Sequence, residues 1–188
     1  MNAHTRCMLK ARLNQSPGTD GSAAVALILR EQEEYENFCD LEILFVKRVD
    51  NPTDPWSGQM ALPGGKREPS DTSLTDTVIR ETHEEVTMNL HECQFLGILE
   101  PHISTPRPEM KIYPFVFLCD CDVSVRVNPA ELERYVWISI HSLQTHIHTV
   151  SFEFGTYPAF IVNETVIWGL TYRIVTHFFS LLKSISGV

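Results

Sequence analysis

What the chain does not contain narrows its reading before any motif is sought. No apolar run approaches the roughly 20 residues needed to span a bilayer. Its first 20 residues hold no apolar stretch of the secretory kind, and the final Ser-Gly-Val is not a peroxisomal address. The expected location is therefore cytoplasmic. Positive charge is scarce: 15 Lys and Arg stand against 24 Asp and Glu, a net charge of −9. That balance argues against a general nucleic-acid or anionic-membrane surface. Repeats, low-complexity tracts and linkers are missing as well, so residues 21–188 read as a single domain behind an N-terminal extension, residues 1–20. The five cysteines (Cys7, Cys39, Cys93, Cys119, Cys121) are odd in number and lack the spacing of a disulfide framework, so a reduced chain is expected.

Apolar content of 43% with 21% charged residues is that of a globular chain long enough for a sizeable core. Short, partly β-branched apolar runs predict strands at Ser22–Leu29, Leu41–Lys47, Trp56–Leu62, Cys93–Leu99, Met110–Cys119 and Tyr135–Ile140. Arg30–Asp40 reads as a hairpin-like connection, and His102–Pro108 as a loop. Pro114 interrupts its run and suggests an edge or a bulge. Ser151–Phe154 and Tyr157–Val162 flank a glycine turn as a hairpin. Val166–Gly169 then opens a last helix from Leu170 to about Ser184, with Ile174, Phe178, Leu181, Leu182 and Ile185 at helical spacing. Strands flanking a helix, with another helix at the end, predict an α/β chain: a mixed sheet sandwiched by helices.

The chemistry concentrates in Leu62–Met88, LPGGKREPSDTSLTDTVIRETHEEVTM. Ser73–Val86 contains no Gly or Pro and reads as a helix. Glu81, Glu84 and Glu85 then share one face, because residues three and four apart are helical neighbours. Val78, Thr82 and Val86, with Ile79, form a mostly apolar stripe beside them that seats the helix. Acidic helix faces are commonly solvated surface, and Arg80–Glu84 has the spacing of an ordinary ion pair. The bend at Pro63-Gly64-Gly65, followed at a fixed gap by R-E-x-x-E-E, is a more particular combination. Three like charges on one face suit divalent cations among them, and hard oxygen ligands suit Mg²⁺ or Mn²⁺.

Those residues resemble the Nudix box, G-x5-E-x7-R-E-U-x-E-E-x-G-U, the signature of Nudix hydrolases. Gly65, Arg80, Glu81, Glu84, Glu85 and Met88 match it. The gap from Gly65 to Arg80 is one residue longer than usual. The early Glu is absent, with Asp71 or Glu68 as stand-ins, and Thr87 replaces the glycine that ends the helix. The longer gap resembles the coenzyme A pyrophosphatases. So does the upstream block, in which Arg48, Gly58, Pro63, Gly64 and Gly65 match, while its second Arg has no counterpart and Thr53 and Asp54 stand there instead.

The resemblance implies a Nudix-type α/β/α sandwich and water attack on the diphosphate of a nucleoside-diphosphate-linked small molecule. Coenzyme A or a derivative would be split into 3′,5′-ADP and 4′-phosphopantetheine. ADP-ribose, an NDP-sugar, NADH or a dinucleoside polyphosphate is the alternative. A third reading, a Nudix module that binds without turnover, sits poorly with three intact box glutamates. Glu81, Glu84 and Glu85 are expected as metal ligands and catalytic residues, Glu81 and Glu85 first, with the general base open among them. Arg48, Gly64, Gly65, Lys66 and Arg107 are expected against the substrate, with Arg67 a further candidate. Glu131 or Glu133 is a possible ligand from outside the box. His83 is expected to face solvent, and His146 and His148 to share a strand face. The expected working unit is a monomer or homodimer.

Overall fold

Apolar residues occupy both faces of the first strand, so it needs cover on both sides. The computed structural model of the chain describes residues 3–18, 20–31, 41–120 and 122–186. Its elements begin with α1 (Ala3–Arg12), β1 (Ala23–Arg30), β2 (Glu42–Arg48), β3 (Met60–Ala61), β4 (Gly64–Lys66) and α2 (Leu74–Val86). A 3₁₀ turn (Leu90–Glu92) leads to β5 (Gln94–Ile98), β6 (His102–Ile103), β7 (Lys111–Cys119) and β8 (Leu132–Ser139). The chain closes with α3 (Ile140–Thr145), β9 (Ile147–Phe152), β10 (Gly155–Val162), β11 (Thr165–Trp168) and α4 (Gly169–Ser186).

Alternation along β1 sets the layers. Leu27 and Leu29 join Leu9 of α1, Leu13 just after it, and Ile174, Val175 and Phe178 of α4 in one core. Ala24, Ala26 and Ile28 face the other way, into a second core with Val78 and Val86 of α2. The small Ala24 and Ala26 leave room for α2 to lie close to the strand. Each fully buried Val or Leu contributes about 1.5–3 kcal/mol. The result is the expected α/β/α sandwich around a mixed, eight-stranded sheet. In it β1 runs parallel to β7 along its whole length, and antiparallel to β4 at its start and β2 at its end. A separate antiparallel sheet, β11-β10-β9, stands beside it. Among the described residues no helix is long and apolar enough to cross a membrane.

Several expectations change. Only Met60–Ala61 of the run Trp56–Leu62 pairs as a strand, because turns built on Asp54 hold Trp56–Gly58 out of the sheet. His102–Ile103 is not loop but pairs with the start of β7. Pro114 lies inside a central strand. The Pro114 carbonyl accepts from the Leu99 amide just where the pairing of β7 passes from β5 to β6, so its missing N–H falls at a gap between neighbours. Thr165–Trp168 is a third strand on the β9–β10 hairpin, and α4 starts after it. Cys93 and Cys119 are joined by a disulfide with Cα atoms 4.5 Å apart, which corrects the reduced-chain expectation for that pair. Their partnership follows from the antiparallel register of β5 with β7, which a cysteine count does not reveal. Cys39, Cys121 and most of the expected 30–40 connection lie outside the described residues. His146 caps α3 while His148 sits in β9, so they do not share a strand face.

Candidate active site

Helix α2 is capped at both ends by the residues that flank it. Ser73 is the N-cap: its hydroxyl accepts from the Asp76 amide, and the Asp76 carboxylate accepts from the Ser73 amide, a capping box. Such a cap is worth about 1 kcal/mol. Val78, Thr82 and Val86 are buried as their spacing requires, and His83 is exposed. At the other end Thr87 adopts a left-handed conformation, φ 57° and ψ 25°, and its amide donates to the His83 carbonyl. The helix therefore ends in the glycine-like way without a glycine. A hydrogen bond from the Thr87 hydroxyl to the Arg126 carbonyl (3.1 Å) helps hold that strained residue.

Gly64 and Gly65 do more than bend the chain. They pair as β4 with Val25 and Ala24, in the opening where β1 parts from β2. Gly64 has φ 138°, and a Cβ there would lie 2.3 Å from the Ala24 carbonyl oxygen, so only glycine fits. Its amide donates to Glu85 Oε2 at 2.8 Å. A Cβ on Gly65 would fall 2.4 Å from the Glu81 carboxyl carbon. Glu85 and Glu81 thus lie directly against the two glycines.

Beneath them an ion-pair network organises the helix. Asp71, 7% exposed, accepts from Arg80 Nε (3.0 Å) and Nη2 (2.9 Å), from the Thr77 hydroxyl (3.0 Å) and from the Glu68 amide (2.9 Å). Asp71, not Glu68, takes the place of the missing early glutamate. The Arg80 guanidinium holds its carboxyl far below the usual carboxylate range. Arg80 also donates through Nη1 to Glu81 and Glu84, each at 3.1 Å, so the expected Arg80–Glu84 pair is present. Arg67 donates to the carbonyls of Asp71 and Thr72, a structural use that keeps it off the cavity lining.

A cavity of about 460 Å³ opens above the glycines. Glu81, Glu85, Glu131, Arg48, Gly64, Gly65, Lys66 and Arg107 line its polar part, so most of the candidates converge. Glu84 does not line it: exposed to solvent, it stays with Arg80. Glu133 pairs with Lys47 instead. Arg48 is held by Asp54, which accepts from its Nε (2.9 Å) and Nη2 (2.7 Å), leaving Nη1 4.0 Å from Glu85. The remaining wall was not expected from the sequence. Trp56 and Asp54 come from the proline-rich loop, Met110 and Ile112 from β7 and the residue before it, and Leu170, Thr171 and Ile174 from α4. The Thr171 hydroxyl donates to the Met60 carbonyl at 3.1 Å and ties α4 to β3.

At the polar end the carboxylates crowd together, with Arg80 against Glu81 (3.1 Å) and Arg48 beside Glu85 (4.0 Å) as the nearest cations. Burial pushes the Glu85 carboxyl up to about 8, although the Gly64 amide opposes the shift. Burial raises Glu81 as well, against the pull of Arg80. Among the described residues no three acidic, His or Cys side chains converge as a ready-made ligand set. Arg80 draws Glu81 and Glu84 aside, and Glu85 is turned to Gly64. Two crowded carboxylates beside a third, Glu131, are nevertheless a donor set of the right hardness for Mg²⁺ or Mn²⁺. A bound cation would relieve the charge that burial penalises.

Comparison with known proteins agrees with this arrangement. The NUDIX domain model matches residues 19–159. A Schizosaccharomyces pombe protein, described as uncharacterized, is 31% identical over 168 residues, covering 78% of this chain but 51% of its own length. The chain thus spans about half the length of that relative. The uncharacterized Nudix hydrolase NudL of Yersinia pestis (strain Pestoides F) is 32% identical over 142 residues, 72% of this chain and 69% of NudL. The NUDIX domain of Shewanella oneidensis NrtR, solved with ADP ribose, is similar with a TM-score of 0.55 at 13% identity, covering 88% of this chain and 90% of that one. That last likeness is one of fold. With its box helix, its glycine pair and the span of the family match in agreement, the chain belongs to the Nudix hydrolase family.

Proposed function

We propose that the protein is a Mg²⁺- or Mn²⁺-dependent diphosphatase for a nucleoside-diphosphate-linked small molecule, with coenzyme A or a derivative as its substrate and 3′,5′-ADP and 4′-phosphopantetheine as products. One observation carries the reading. Glu81 and Glu85, one helical turn apart, line the same cavity as Gly64, Gly65 and Glu131. Glu81 and Glu85 would hold the cation, with Glu84 joining once released from Arg80 and Glu131 as a ligand from outside the box. A divalent cation there supplies charge neutralisation at the diphosphate and a lowered pKa for bound water. One of these carboxylates takes the proton of the attacking water. The Gly64 and Gly65 backbone allows close approach of the diphosphate, and Arg48, Lys66 and Arg107 contact it or the groups it joins.

In this reading residues 21–188 are the hydrolase domain and 1–20 an N-terminal extension, of which Leu9 and Leu13 pack into the core. The working unit is a monomer or homodimer without nucleic-acid or membrane partners. A cytoplasmic location belongs to the reading too. One observation favours ADP-ribose or a related diphosphate as a second reading. The second Arg of the coenzyme A pyrophosphatase block has no counterpart in the loop that carries Thr53 and Asp54, and Asp54 ties up Arg48, so fewer free cations face the third phosphate of coenzyme A.

Product release by the purified protein, with Mg²⁺ or Mn²⁺ and with coenzyme A and ADP-ribose side by side, tests the proposal. Preference for coenzyme A, lost in Glu85→Gln, is the expected result. Preference for ADP-ribose selects the second reading, and turnover that survives Glu85→Gln refutes the carboxylate mechanism.

A further inference from the structure

The cavity has a second half that diphosphate chemistry does not use. Trp56 is half-buried in the loop after Asp54, and it packs beside the small cluster of Ala23, Met110 and Ile112. Arg107 reaches across from the loop between β6 and β7, and its guanidinium carbon lies 5.6 Å from the centre of the indole. Both residues line the cavity that holds Glu81 and Glu85. Among the described residues Arg107 makes no ion pair, although Asp54 feels its charge. The chain therefore places two flat groups, one aromatic and one cationic, opposite each other at the rim of an acidic phosphate site.

Asp54 fixes this arrangement. One carboxylate oxygen holds Arg48, and the other accepts from the Trp56 amide at 3.0 Å. Burial raises the Asp54 carboxyl, but the Trp56 amide and Arg48 outweigh it and bring it below its usual range. One carboxylate thus sets both the cation beside Glu85 and the backbone of the stacking residue.

We infer that Trp56 and Arg107 form a clamp for the planar base of the substrate, with Asp54 as its positioning residue. The inference rests on the diphosphatase reading for the place of the phosphates. A ring between two flat groups needs about 3.5 Å on each side, roughly 7 Å in all. The clamp as it stands is narrower, so Arg107 moves outward as the base enters, which its unpaired guanidinium permits. An aliphatic chain would gain from burial against Met110 and Ile112 but would leave the indole and guanidinium faces unused. A nucleobase uses both, by stacking and by cation–π attraction.

Calorimetric titration of ADP and of methylenediphosphonate into the Mg²⁺-loaded protein separates base recognition from phosphate recognition. Trp56→Leu is expected to weaken ADP about tenfold while leaving methylenediphosphonate unchanged. Trp56→Phe keeps most of the ADP affinity, and Arg107→Gln loses a few-fold. The clamp is overturned if Trp56→Leu weakens both probes equally, if neither Trp56→Leu nor Arg107→Gln affects ADP, or if the wild type binds ADP no better than methylenediphosphonate. A wild type that shows the expected binding pattern yet turns over no diphosphate would refute the hydrolase reading and leave the clamp standing.

Discussion

Replacing Asp71 with Asn tests the idea that one buried carboxylate holds the box helix in register. The substitution keeps size and one acceptor but puts an NH₂ group where Oδ2 accepts from Arg80 Nη2, the Glu68 amide and Thr77. Breaking a buried ion pair by removing one partner costs about 3–5 kcal/mol. Arg80 keeps Glu81 and Glu84, so the low end applies, about 3 kcal/mol. In a chain of 188 residues that lowers Tm by about 6–12 °C. The pH dependence follows from the sign of the shift. Asp71 has a lower pKa folded than unfolded, so its contribution is complete above the unfolded value near 3.8 and fades as pH falls below it. Thermal and urea unfolding of wild type and Asp71→Asn should therefore differ by a constant amount from pH 8 to pH 5, and converge only below about pH 4. A difference under about 1 kcal/mol at pH 7, or one that changes between pH 5 and 8, would refute the assignment.

Other perturbations reach other parts of the argument. Thr87→Gly relieves about 1 kcal/mol of left-handed strain and loses one hydrogen bond, so urea unfolding should show it neutral to slightly stabilised, whereas Thr87→Ala keeps the strain and loses about 1 kcal/mol. The Cys93–Cys119 disulfide spans 26 residues, and its reduction should cost about 3.5 kcal/mol by loop entropy, read as a lower Tm in reductant. Unchanged Tm, with alkylation mass showing those two thiols already free before reduction, would contradict that pairing. Glu85→Gln should abolish metal-dependent turnover while its Tm in chelator at pH 7 stays level, because burial already holds the carboxyl largely neutral there and Gln keeps an acceptor for the Gly64 amide; a large drop in Tm would show Glu85 to be structural.

Local signals carried much of this. The α2 helix was readable from the absence of Gly and Pro, the Val78-Thr82-Val86 stripe and the box spacing, and α4 from Ile174, Phe178 and Leu182. The glycine pair was readable as a close approach but not as a strand, because β4 has no periodicity and exists only through Ala24 and Val25 on β1. Pro114 misled because the gap between β5 and β6 that excuses it is a tertiary fact. Three glutamates on one face were legible from spacing, yet the structure grades them: Glu85 buried, Glu81 half-buried, Glu84 exposed. Trp56, Asp54 and Thr171 reach the cavity from segments that share no motif with the box.

The wall supplied by Leu170, Thr171 and Ile174 lies beyond residue 159, where the family resemblance stops. The stretch that matches the family is thus shorter than the stretch that encloses the cavity. A gene trimmed to the recognisable part would encode every box carboxylate and still leave the cavity open on one side. Substitutions on α4 can therefore reshape that side of the cavity without touching the acidic helix.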